Sequence, residues 1–166
     1  MRSAHQRGDT LEDALLCQYA HQTGYLFRPV NRLDKGTSGL MVAAKNAYAQ
    51  QRLQGQLHGE TFVREYVAVC DGIPKQKEGF IDLPIGREKD SVKRCIDENG
   101  KNAATHFRVI DTGDNRSLIS LLLETGRTHQ IRVHMAAIGC PVTGDYLYGK
   151  EHQRLPGRFA LHSCYV

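Results

Sequence analysis

Two polar segments of this chain carry side chains able to do chemistry. The first is Asn31-Arg32-Leu33-Asp34-Lys35-Gly36-Thr37-Ser38-Gly39. Arg32 and Asp34 lie two apart, so on an extended segment they point to the same side. Gly36 and Gly39 let the backbone turn tightly and come close to a ligand. The hydroxyls of Thr37 and Ser38 can bond the Asp34 carboxylate or the local backbone. A carboxylate in such a loop suits nucleophilic or acid–base work, and it suits the capping of a turn before a strand equally well. The second segment is Gly126-Arg127-Thr128-His129-Gln130-Ile131-Arg132-Val133-His134. It follows an apolar run and opens a helix, whose free N–H groups and dipole favour a nearby anion. Arg127, on the entry turn, can form a two-pronged pair with a carboxylate such as Asp34. Arg132 and His129 can instead face a phosphate backbone, and a solvated helix start with surface arginines is the plain alternative.

These segments need elements to hold them. Thr10 followed by Asp13 reads as a helix start, with Gly24 as its stop. A short extended stretch over 25–30 leads into the Asp34 loop, and the apolar run 40–44 reads as a buried strand. Residues 46–58 suit a helix, 62–70 a strand, and Asp71-Gly72 its turn. The polar stretch 79–100 suits a hairpin or a long loop. Residues 105–110 and 118–123 read as strands joined by Asp111-Thr112-Gly113-Asp114-Asn115. Thr128 can cap a helix carrying Ile131, Met135 and Ile138 on one stripe, which Gly139-Cys140-Pro141 ends. A last strand covers 159–166. Strands outnumber helices and most connections suit antiparallel pairing. The expected class is therefore α+β, a largely antiparallel sheet with flanking helices, in one domain over residues 1–166.

Composition narrows the choice of function. A chain of 166 residues, 40% hydrophobic and 24% charged, can bury an ordinary core without staples. No apolar run approaches the ~18 residues a membrane span needs, and the polar N-terminal residues lack a secretory h-region, so we expect a cytoplasmic protein and no membrane. Five scattered cysteines form no C-x-x-C pair, and His129 and His134 are five apart rather than four, so we expect no metal. No cofactor loop is present, so we expect no cofactor. The net charge of +4 only weakly favours a polyanionic partner.

Asn31 to Leu40 closely resembles the H-R-L-D-x-x-T-S-G-L signature of RluA-type RNA pseudouridine synthases. Four further segments resemble that family in the same order. Arg64-Glu65-Tyr66-Val67-Ala68 is similar to its K-x-Y-x-A strand, and Gly126 to His134 matches its G-R-T-H-Q-I-R-V-H block throughout. Residues 139–149 are similar to G-H-P-x-x-G-D-x-L-Y-G, and Arg158 to Ser163 to a closing R-x-A-L-H-A strand. The resemblance implies a pseudouridine synthase-like catalytic core that isomerises a uridine in ribosomal or transfer RNA, with base flipping. It implies that Asp34 is a covalent nucleophile and that Arg127 pairs with it. It implies that Tyr66 lies against the uracil ring and helps remove the C5 proton, while Leu161 packs on the base's other side. By the same resemblance Arg32 occupies the space the base vacates, and His129, Gln130, Arg132 and Arg158 face RNA or support the site. Lys89, Lys93 and Arg94 suit phosphate contacts or a solvated hairpin, and the tyrosines of 144–149 suit an architectural role.

The chain departs from the pattern at Asn31, where the family usually has histidine, and at Cys140, another usual histidine. Compared with the family, the domain is expected to lack strands at both its N- and C-terminal ends. RNA is the expected partner, with no obligate protein partner evident. Two other readings compete: a non-catalytic RNA-binding fragment of the same fold, and a hydrolase using Asp34 with a second carboxylate such as Glu124 or Asp145.

Overall fold

The computed structural model describes residues 10–57, 59 and 62–166. The fold is α+β. Eleven elements follow in order: α1 (Leu11–Gln18), β1 (Ser38–Gly39), α2 (Ala47–Gln56), β2 (Glu65–Asp71), β3 (Glu78–Asp82), β4 (Ile85–Arg87), β5 (Arg94–Ile96), β6 (Ala104–Gly113), β7 (Arg116–Leu123), α3 (Gln130–Ala137) and β8 (Leu161–Tyr165). Six strands form one sheet in the order β1-β8-β2-β7-β6-β3, and β4 and β5 form a separate hairpin. Only β1–β8 is parallel; the other pairings are antiparallel.

The sheet follows from alternation in the sequence. Along β2, residues 66, 68 and 70 are buried while their neighbours are only partly so, and β7 alternates similarly at 117, 119 and 121. That period of two turns Tyr66, Ala68, Ile119 and Leu121 to one face. There they join Ile131 and Met135 of α3, with Val142, Phe159 and Leu161, in the main core. Among the described residues, α3 is the one helix with buried residues, six of them from Gln130 to Met135. Helices α1 and α2 bury none.

Local chemistry places the ends of several elements. Thr10 caps α1 reciprocally with Asp13, as expected, and Asn46 caps α2 by accepting the Ala49 N–H at 2.8 Å. The helix expected to run to Gly24 ends at Gln18, and turns follow. Residue 58, the expected end of the second helix, lies outside the described residues. Strands β6 and β7 are longer than expected and meet at Asp114-Asn115, both left-handed, as a two-residue hairpin turn with right-handed twist demands.

The expected buried strand over 40–44 does not form. Only Ser38 and Gly39 pair with β8, and Leu40 is 53% exposed. Residues 42–44 instead face 28–30: the Val30 N–H donates to Val42 O and the Ala44 N–H to Arg28 O, each at 2.8 Å. This ladder stops because the Asn31 side-chain oxygen captures the Val42 N–H at 2.8 Å. The apolar residues here are consumed by a loop pairing, which apolarity alone does not distinguish from a strand. Among the described residues no helix is long and apolar enough to cross a membrane.

Candidate active site

The Asp34 loop is held by close approach at two glycines. A Cβ on Gly36 would overlap the Phe159 ring, and one on Gly39 (φ +112°) would overlap the Ser163 backbone. The first presses the loop onto Phe159, just before β8, and the second onto β8 itself, where the Leu40 N–H completes the contact by donating to Ser163 O at 2.9 Å. Between these anchors and the turn in which the Thr37 N–H donates to Asp34 O, the Asp34 side chain is presented at 16% exposure.

It faces a pocket of about 310 Å³. Asp34, Arg32, Tyr66, Arg127, His129, Gln130, Arg132 and Leu161 all line it. The sequence thus brings eight of its nine candidate residues to one cavity. Arg158 does not line it and is exposed on the approach to β8. Tyr66 and Leu161 are apolar walls, 6% and 5% exposed, set on adjacent strands in the register Tyr66↔Ser163 and Ala68↔Leu161.

The arginine beside Asp34 is Arg132, which corrects the expected pairing with Arg127. Arg132 Nη1 lies 3.5 Å from Asp34 Oδ2. Its other edge forms a two-pronged pair with Asp145: Nε donates to Oδ2 at 2.6 Å and Nη2 to Oδ1 at 2.8 Å. The guanidinium also lies 4.3 Å from the Phe159 ring centre and 5.0 Å from that of Tyr148. Arg127 turns away, its Nε donating to Asn102 O at 2.8 Å. The cause is Gln130. Its side-chain oxygen accepts the Arg127 N–H at 2.9 Å and the Thr125 hydroxyl at 2.8 Å, while its amide donates to Ala104 O and Thr105 Oγ1. The entry is thereby wound into a tight turn. Thr128 does not cap the helix; His129 occupies that position in left-handed conformation (φ 59°), without a side-chain cap. Gln130, expected to face RNA or support the site, is a buried clasp for this turn.

Asp145 was missed as a supporting residue. It is fully buried, and besides Arg132 it accepts the Leu147 and Tyr148 N–H groups. A lone arginine inside an apolar helix implies a buried carboxylate partner, and that was the available signal. Burial pulls the Arg132 guanidinium down, but Asp145, Asp34 and Tyr148 together lift it above its ordinary value.

His129 points into the same cluster. Its Nε2 is 4.0 Å from Asp34 Oδ2, and its Nδ1 is 2.8 Å from the Tyr148 hydroxyl. Burial holds the imidazole below its ordinary 6.5, outweighing Asp34, so the ring is neutral at neutral pH and the approach is not an ion pair. Burial likewise raises the Tyr66 phenol, against the opposing pull of Ser163 and Arg64. The alternative second carboxylates do not line the pocket: Glu124 is bound to His106 at 2.6 Å on the surface, and Asp145 is engaged by Arg132.

A sheet of this order with an aspartate loop docked on β8 and an arginine fixed beneath it defines a class. Among solved structures, human RNA pseudouridylate synthase domain containing 1 superposes with a TM-score of 0.77 at 31% identity, over 93% of this chain and 66% of that one. The profile described as RNA pseudouridylate synthase matches residues 3–137. This chain belongs to the RNA pseudouridylate synthase family. It is 47% identical to the uncharacterized RNA pseudouridine synthase YjbO of Bacillus subtilis, over 81% of the chain and 47% of that protein. It is 44% identical to ribosomal large subunit pseudouridine synthase D of Nitrosomonas europaea, over 93% of the chain and 47% of that protein. The chain thus spans about half the length of the curated relatives it matches.

Proposed function

We propose that this chain isomerises a uridine in RNA to pseudouridine, with Asp34 as the nucleophile acting on a flipped-out base. One observation carries the reading: Asp34 stands at a pocket walled by Tyr66 and Leu161, and the arginine behind it is itself locked by Asp145.

Arg132 and His129 both approach Oδ2, which leaves Oδ1 free to attack. In the proposed reaction Oδ1 bonds to C1′ of the ribose and the uracil leaves through N1 with the bonding electron pair. The detached base turns within the pocket, C5 attacks C1′ and displaces Asp34, and the C5 proton is then lost to a base while N1 takes up a proton. Bond count and charge balance without an oxidant or a second substrate. Apolar walls keep the base near C1′ and exclude the water that would turn isomerisation into hydrolysis. Among the described residues no second carboxylate lines the pocket to activate that water, which favours the isomerase over the hydrolase. Tyr66 enters as a protonated phenol, so its part is to pack on the ring; if it accepts the C5 proton, it must pass its own proton on. Arg32, exposed at the rim, would fill the gap in the RNA stack. Ribosomal or transfer RNA is the substrate class, and the relative named for the large ribosomal subunit favours the former.

The test is RNA labelled with tritium at uridine C5. Release of label by the parent chain, with none from Asp34→Ala, is the expected result. Equal release by the variant would remove Asp34 as nucleophile, and no release by the folded parent on ribosomal and transfer RNA would leave an RNA-binding fold without catalysis.

A further inference from the structure

Tyr148 touches both groups that back Asp34. Its ring lies under the Arg132 guanidinium at 5.0 Å, and its hydroxyl is 2.8 Å from His129 Nδ1. The same hydroxyl accepts the backbone N–H of Arg94, from the β4–β5 hairpin, at 2.7 Å. That contact determines which way the hydroxyl hydrogen points. A tyrosine hydroxyl has one hydrogen to donate, and the nearby acceptor among its described hydrogen-bond partners is the imidazole nitrogen. If His129 instead carried its proton on Nδ1, the Tyr148 hydrogen would lose its acceptor. The bare Nε2 lone pair would then face the Asp34 carboxylate at 4.0 Å. Both costs fall on one tautomer.

We propose that Tyr148 is a positioning residue of this site, its hydroxyl locking His129 in the tautomer that presents Nε2–H to Asp34. The chain of donors runs from Arg94 N–H to the Tyr148 oxygen, from the Tyr148 hydrogen to His129 Nδ1, and from His129 Nε2–H toward Asp34 Oδ2. Arg132 Nη1 converges on the same oxygen at 3.5 Å. Two donors on Oδ2 stabilise the carboxylate as it leaves C1′ and hold Oδ1 toward the substrate. This role rests on the reading of Asp34 as the reacting group. The 4.0 Å separation is long for a hydrogen bond, and such bonds tighten when substrate fills the site. Charges facing the ring are Asp34, Arg132, Arg94 and Asp145, two of each sign, so neither tautomer is favoured by net charge alone.

Nitrogen-15 NMR of histidine-labelled chain reads the tautomer directly. The expected spectrum has a bare Nδ1 and a protonated Nε2 for His129, and a mixture of tautomers in Tyr148→Phe. That variant keeps the ring beneath Arg132. Kinetically it should lower kcat for tritium release about tenfold with KM for RNA unchanged, the modest loss expected when a positioned donor is loosened. In a His129→Gln background, where an amide N–H reaches toward Asp34 without help from tyrosine, adding Tyr148→Phe should cost less than twofold. A protonated Nδ1 in the parent spectrum overturns the proposal, as does an undiminished tenfold loss in the His129→Gln background. If the parent releases no tritium, the synthase reading fails instead, and the spectrum still decides the tautomer.

Discussion

Arg127 and Arg132 belong to the same nine-residue block, yet one reaches a backbone carbonyl near the surface and the other the bottom of the pocket. Their removal should differ accordingly. Arg132→Ala leaves the fully buried Asp145 without its countercharge, and breaking such a pair costs about 3–5 kcal/mol. Arg127→Ala removes a single hydrogen bond to Asn102 O, worth about 1 kcal/mol. Urea denaturation of the two variants checks the contrast, and equal losses would mean that the Asp145 pair does not anchor the helix. The type of residue needed beside Asp34 was legible in the sequence; the choice between two arginines was not. That choice depends on the Gln130 side chain bonding back to residue 127, a contact that spacing along a helix does not encode. Asp145 was hidden for a related reason, because its buried pairing joins residues thirteen apart on different elements.

At the scale of elements, the position of Asp34 depends on the seam between β1 and β8. Gly39→Ala puts a Cβ against the Ser163 backbone at φ +112°, and strain of that kind costs on the order of 1–3 kcal/mol. The variant should lose stability by that amount. Its tritium release should fall further than the folded fraction does, because Asp34 rides on the displaced loop. Denaturation paired with activity, at a temperature where the variant is folded, tests this; unchanged activity would show that the seam does not position Asp34. The strands β2, β6 and β7 and the Thr10 cap of α1 were readable because each follows from local spacing. The 40–44 run misled because the Asn31 side chain ends its pairing from outside the segment.

For the molecule as a whole, pH should act through its buried histidines. His134 is fully buried between Thr105 Oγ1 and Leu83 O, and burial lowers its pKa from 6.5, as it does for His129. Below 6.5 the unfolded chain takes up protons that the folded chain refuses. The stabilisation is therefore complete above 6.5 and is lost as pH falls toward the lowered folded values. Unfolding free energy should decline from about pH 7.5 to about pH 5.5, with a shallower slope in His134→Gln. A slope unchanged by that substitution would assign the effect to other groups.

The contact between Ser38 and His162 joins residues 124 apart in the chain. A ribosome adds about 5–20 residues per second, so the loop bearing Asp34 emerges on the order of ten seconds before the strand that seats it. During that interval the emerging polypeptide carries Asp34 with one wall of the pocket, Leu161, still unmade. The site is then complete only after the segment that seats the loop has left the exit tunnel, and on the proposed reading of Asp34 a shorter nascent chain would not act on the transcripts and ribosomes crowded around it.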